Sequence, residues 1–134
     1  MHADYAVLVV NALSGAAAAG DANRQHLDLA LALELPVIIV INKVDLTSKE
    51  TTDETLASIQ QLISATFGHS KSPRLIESET DIDAFWTDRP QNTYNDDLVP
   101  IFLVSCVTGM GISMLYKFLQ MLSPSDRKST RLNS

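Results

Sequence analysis

In the run Asn42-Lys43-Val44-Asp45, before the middle of this chain, three residues carry side chains suited to reading a purine: Asn42, Lys43 and Asp45. The Asp45 carboxylate can accept two hydrogen bonds at once, and guanine offers a matching pair of donors at its ring N1–H and exocyclic amine. Adenine has no donors arranged that way. Asn42 can bond the ring N7 and tie adjacent loops together, and the Lys43 stem can lie flat over the base. Such a tetrapeptide arises by chance in roughly 1–2% of chains of this length. It also follows directly on residues 37–41 (Val-Ile-Ile-Val-Ile), an apolar β-branched run of the buried parallel-strand type. Ligands of open parallel sheets bind beyond the carboxyl ends of the strands, which is where this tetrapeptide stands. The competing reading is a solvated strand-to-helix turn with Asp45 as a helix cap.

A second element follows the apolar run 100–104: Ser105, Cys106, Val107, Thr108 and Gly109. Ser, Thr and Gly fill turns of every kind, so the information lies in the position, at the end of another strand of the same sheet. There the backbone amides can reach a base oxygen while the Ser105 hydroxyl braces the Asp45 loop. Cys106 has no general base near it in sequence and is read as a buried, inert thiol.

The elements that must hold these residues alternate along the chain. Residues 5–10 read as a buried strand, 11–21 as a small-residue loop, and 23–35 as a helix through Leu27, Ala30, Leu31 and Ala32, ended by Pro36. Strand 37–41 leads past the N-cap candidates Thr47 and Ser48 into an amphipathic helix over 51–67, which Gly68 stops. Residues 70–98 are polar and acidic and read as a long insertion in which Leu75 and Ile76 can pair as a short strand. Its expected character is a solvated excursion, replaceable by a short linker with nucleotide affinity held within about threefold. Strand 100–104 and a helix over 113–122, with Leu115, Phe118, Leu119 and Leu122 inward, complete the pattern. Strands separated by helices imply βαβ units and a parallel sheet covered on both faces.

Composition narrows the partners. The 134 residues carry 46% hydrophobic side chains and a net charge of −6, enough apolar material for one core and too little positive charge for a DNA-binding face. A single cysteine excludes an internal disulfide and a cysteine zinc cluster and suits a reducing compartment. The longest apolar stretch, 27–41, is interrupted by Asp28, Glu34 and Pro36, so no membrane span is expected. With no secretory signal pattern at the start, the expected location is cytoplasmic.

Together these residues resemble a GTP-binding domain of the translation-factor, elongation factor-like type. Residues 42–45 match the family's N-K-x-D motif, and Ser105, Cys106 and Val107 stand where it has S-A-K or S-A-L. Residues 4–12 are similar to its strand D-x-A-x-L-V-V-x-A, and 24–27 (Arg-Gln-His-Leu) to its T-R-E-H-L segment. The sixty residues from Asp45 to Ser105, the S-x-V-T-G form and the 119–124 ending are most similar to the GTP-binding protein 1/2 subfamily. The resemblance implies an α/β fold, a three-layer P-loop-NTPase-type parallel sheet with helices on both faces, incomplete because its N-terminal half lies upstream. It assigns guanine binding to Asn42, Lys43, Asp45, Ser105, Cys106 and Val107. It also implies GTP or GDP as ligand, GTPase activity in the intact protein, Mg2+, and ribosome- or RNA-linked partners.

The family's phosphate-cradling loop, G-x-x-x-x-G-K-[ST], should precede these motifs. Gly15 and Gly20 have the right spacing, but Asp21 and Ala22 stand where Lys and Ser/Thr must be. A carboxylate repels phosphate and an alanine cannot ligate magnesium. The Mg2+ ligands and catalytic residues are therefore expected outside this chain, and residues 1–125 alone are expected to hydrolyse no GTP. A rival reading is a degenerate G fold that serves as a regulatory or scaffold domain; a third is an α/β binding module without nucleotide. Glu77, Glu79, Asp81 and Asp83 alternate like a calcium loop, but Ile82 occupies the glycine position, and the segment is read as a solvated acidic loop. His26 is read as a helix-surface residue and Trp86 as an anchor that docks the insert. Residues 126–134 (DRKSTRLNS) look like a translated adapter or vector scar, the alternative being a genuine basic tail.

Overall fold

The computed structural model describes residues 5–83, 85 and 97–122. Trp86, Asp88, the 123–124 ending and the basic segment 126–134 lie outside the described residues. Four strands, β1 (Ala6–Asn11), β2 (Val37–Asn42), β3 (Ser72–Ile76) and β4 (Leu98–Leu103), form one parallel sheet in the order β1-β2-β4-β3. Four α-helices accompany them: α1 (Asp21–Ala32), α2 (Lys49–Phe67), α3 (Glu79–Asp83) and α4 (Ile112–Leu122).

The handedness of parallel connections accounts for the layers. From β1 to β2 and from β2 to β3 the chain crosses the sheet in one direction, and α1 and α2 pack on one face. From β3 to β4 it steps back, and α3 lies on the other face. Right-handed crossovers require that reversal. Alternation along the strands then builds two cores. Leu8, Val10, Val37, Ile39, Ile41, Val99 and Ile101 meet Leu27 of α1 and Ile59, Leu62, Ile63 and Phe67 of α2. Ile38, Val40, Phe102 and Val104 meet Ile82, Phe85 and Phe118 on the opposite face. β2 is covered on both sides, which is why it reads as an unbroken apolar run. β1 is the exception: Val9 is 60% exposed on the face away from α1 and α2.

Each helix end has a local cause. Ser48 caps α2 by accepting the Thr51 N–H at 3.2 Å, and Gly68 ends it at φ +62°. α1 stops at Ala32, short of the expected 35. Glu34 takes φ 57°, its N–H donates to the Leu31 carbonyl, and the Leu35 N–H donates to Ala30. This is a Schellman ending that turns the chain before Pro36, which itself holds Leu35 extended. Leu27 and Ala30 are buried as the helix pattern required, whereas Leu31 lies 44% exposed.

Two sequence readings are corrected here. The small-residue loop 11–21 is wound into 3-10 turns over Ala12–Ala19, closed at its start by Asn11, whose Oδ1 accepts the Leu13 N–H at 2.9 Å. The described part of the acidic insertion is no solvated excursion. β3 pairs with β4 as a strand of the sheet, and Ile76, Ile82 and Phe85 are buried in the second core. Phe118 stands edge-on to both Phe85 and Phe102, with ring centroids 5.3 and 5.2 Å apart. Replacing 70–98 by a linker would therefore remove a strand and open a core, so retained affinity is no longer expected of that change.

Candidate functional site

The adjacent strands β2 and β4 send their following helices to opposite faces of the sheet, α2 to one and α4 to the other. A crevice opens where neighbouring strands part in this way, at their carboxyl ends. The turns at that end of β2 and β4 are 42–48 and 104–111.

The first turn starts at the end of β2. Asn42 is half-buried, and its Oδ1 accepts the Lys43 backbone N–H at 2.7 Å. Lys43 adopts a left-handed conformation, φ 69°, which is uncommon outside glycine. A 3-10 turn over Val44–Leu46 follows, pinned by the Leu46 N–H and the Thr47 hydroxyl, both donating to the Lys43 carbonyl. Asp45 lies exposed on this turn, and its carboxylate accepts no hydrogen bond from any described residue. It does not cap α2; Ser48 does that.

The second turn begins at Ser105, which is fully buried. Its backbone N–H donates to the Met110 carbonyl at 2.9 Å, and its hydroxyl accepts the Thr108 N–H at 3.1 Å. The expected brace from this hydroxyl to the Asp45 loop is thus corrected: Ser105 closes its own loop. The link between the loops is backbone. The Val104 N–H donates to Ile41 at 2.8 Å, and the Val44 N–H donates back to Val104 at 3.3 Å. Gly109 (φ +82°) and Gly111 (φ +75°) let the loop fold back over β4. A Cβ at Gly111 would collide with the Leu103 carbonyl oxygen.

Cys106 is the second correction, since it is exposed, not buried. Its Sγ lies 3.8 Å from Asn42 Oδ1, so a side chain joins the two loops after all. Val107 beside it is 81% exposed. The site residues read from the sequence therefore fall on two joined turns at one end of the sheet, with Asp45, Lys43, Cys106 and Val107 open to solvent. Sequence reasoning gave no role in the site to Val44, Val104 or Gly111, whose roles depend on the backbone of a neighbouring strand. The doubled glycine at 109 and 111 was the available signal for the last.

The Gly15–Gly20 loop does not fit a phosphate or its magnesium ion. The Gly15 N–H is spent on the Thr55 hydroxyl at 2.8 Å and the Gly20 N–H on the Ala17 carbonyl at 3.0 Å, so neither amide faces outward for an anion. Ala22 offers no oxygen to a metal. No catalytic step is assigned to this loop. In the acidic segment, Asp81 Oδ2 accepts the backbone N–H of Glu77 (2.9 Å) and of Ser78 (3.2 Å), and Arg74 stands 3.6 Å from its other oxygen. These contacts hold its carboxyl below the usual aspartate range, the Glu77 N–H contributing most. His26 is exposed on α1, as read from sequence.

Comparison with known proteins agrees with this architecture. Mouse GTP-binding protein 2 is 37% identical over 121 residues, covering 90% of this chain and 19% of its own length. Xenopus laevis GTP-binding protein 1 is 34% identical over 128 residues, covering 96% of this chain and 18% of its own. The chain thus spans about a fifth of the length of these relatives. Translation elongation factor SelB from Methanococcus maripaludis, solved with the GTP analogue GppNHp, superposes with a TM-score of 0.58 at 18% identity, over 98% of this chain and 22% of that one. The parallel sheet with helices on both faces is the α/β fold of P-loop GTPases. A profile of the elongation factor Tu GTP-binding domain matches residues 1–125, and the chain belongs to that family.

Proposed function

We infer that residues 42–45 and 105–107 hold the guanine end of GTP or GDP within a translation-factor-like GTPase. The observation that carries this reading is the joining of the two turns at the parting of β2 and β4, with the Asp45 carboxylate left unpaired and open. A free carboxylate at that end of the sheet selects a base that presents two adjacent donors, and guanine is that base. Exposed Lys43 and Val107 supply apolar surface for the faces of the ring.

Hydrolysis belongs in this proposal to the whole protein. Phosphoryl transfer depends on positioning and charge stabilisation around the phosphates, and the described residues offer no loop that fits that task. Residues 1–125 alone should release no phosphate from GTP. Ribosome- or RNA-linked partners and a cytoplasmic location complete the proposal, on the family's account. No described helix is long and apolar enough to cross a membrane.

The deciding experiment is calorimetry on the full-length protein that carries this segment. Asp45→Ala should weaken GTP by about 3 kcal/mol, on the order of a hundredfold. Asp45→Asn should exchange preference from GTP to xanthosine triphosphate, because the amide donates to the second ring carbonyl. Unchanged GTP affinity in both variants would sink the assignment.

A further inference from the structure

We propose that Cys106 is a positioning residue for Asn42, fixing which end of its amide a bound purine meets. The proposal rests on the guanine reading above and adds to it a residue that acts through another.

An asparagine side chain has two chemically different ends, and half a turn about its last bond exchanges them. The Lys43 backbone N–H lies 2.7 Å from one end. A backbone amide only donates, so that end is the carbonyl oxygen and the NH2 group points away. The Cys106 thiol approaches the same oxygen from the other turn, at 3.8 Å and 64 residues away in sequence. A thiol is a weak donor, and this contact favours the same orientation.

The two contacts differ in what they fix. The Lys43 N–H is local and moves with its own turn. The thiol refers the amide to the β4 loop, which the Val44 and Val104 backbone bonds already hold in register. Asn42 is left with an NH2 group that no described residue accepts. The complementary atom on a purine is an unprotonated ring nitrogen, and N7 is the one on the edge away from the donors that Asp45 reads. Cys106 thus governs how firmly the N7 edge is held, while Asp45 selects guanine.

The test uses the full-length protein that carries this segment, with GDP and with 7-deaza-GDP, in which a C–H replaces N7. Cys106→Ala should weaken GDP by about threefold, in keeping with a weak S–H bond. It should leave 7-deaza-GDP affinity unchanged, and in an Asn42→Ala background it should alter neither. In the unliganded protein, the Asn42 side-chain NH2 resonances should move on Cys106→Ala. Equal weakening of both nucleotides, no change in either, or unmoved resonances would overturn the positioning role. If Asp45→Asn also fails to exchange GDP for xanthosine diphosphate, the guanine reading falls first, and this role with it.

Discussion

The Thr55 hydroxyl accepts the N–H of Gly15 at 2.8 Å and donates to the Ala12 carbonyl at 2.7 Å, all of it buried. One side chain of α2 therefore satisfies two backbone groups of the 3-10 segment that leaves β1, forty residues earlier. Thr55→Val keeps the shape and removes both bonds from a buried N–H and a buried C=O. The expected cost is about 2–4 kcal/mol, read from the urea midpoint at unchanged slope. Thr55→Ser, which keeps the hydroxyl, should retain most of the stability.

Gly111 carries the tightest steric demand near the site. Its φ is +75° and a Cβ would meet the Leu103 carbonyl oxygen. Gly111→Ala should cost about 2–4 kcal/mol, combining left-handed strain with a clash against a strand that is paired on both edges. The loop 104–111 should loosen with it, so hydrogen exchange at the Ser105 amide should quicken more than the global loss explains. Gly109→Ala, where a Cβ has open space, should cost less.

Glu34 holds a left-handed conformation at the end of α1 that a glycine would hold without strain. The backbone penalty of about 1–2 kcal/mol is partly offset by glycine's extra freedom when unfolded, about 0.5–1 kcal/mol. Glu34→Gly should thus stabilise the chain by about 0.5 kcal/mol, seen as a small rise in Tm. A fall in Tm would show that the Glu34 side chain contributes something its exposed position does not suggest.

Asp81 supplies a pH dependence. Its carboxyl is held below the ordinary aspartate value, first by the Glu77 N–H and then by Ser78 and Arg74. A depressed carboxylate contributes stability that is complete above its unfolded value of about 3.9 and is lost as the pH falls through the lower folded value. Asp81→Ala should therefore be less stable than the parent at pH 7. The gap should narrow below about pH 4 as the parent loses the same bonds. The size is small, since the group is partly open to solvent and screened. A gap that widens on acidification would contradict the assignment.

The strands and the position of the site were legible because β2 is apolar on both faces and ends in a four-residue pattern of unlike side chains. The helices were legible to within a few residues for the reasons periodicity usually works, with Ser48 and Gly68 marking both ends of α2. β3 was less visible because it is an edge strand that starts Ser-Pro-Arg: Pro73 donates nothing to a ladder, and only Leu75 and Ile76 look apolar. Phe85 lay in a stretch whose charge suggested solvent, yet its ring fills a place in the core beside Phe118 of α4. The exposure of Cys106 was not readable at all, because it depends on a loop folding back at Gly109 and Gly111. Composition records that a thiol is present; only the path of the backbone decides where it faces.

The strand order has a consequence for how the chain folds. β4 enters between β2 and β3, so Ile39 meets Ile101 and β3 has no neighbour until β4 arrives. A pairing that spans some sixty residues must pay its loop-closure entropy before the sheet rewards it. The β1–β2 unit with α1 is local and can form early; the 42–45 and 105–107 turns cannot meet until the last strand is in place. Entry of β4 between β2 and β3 and the meeting of the two turns are then one event, and mutations in β4 should slow the appearance of both together.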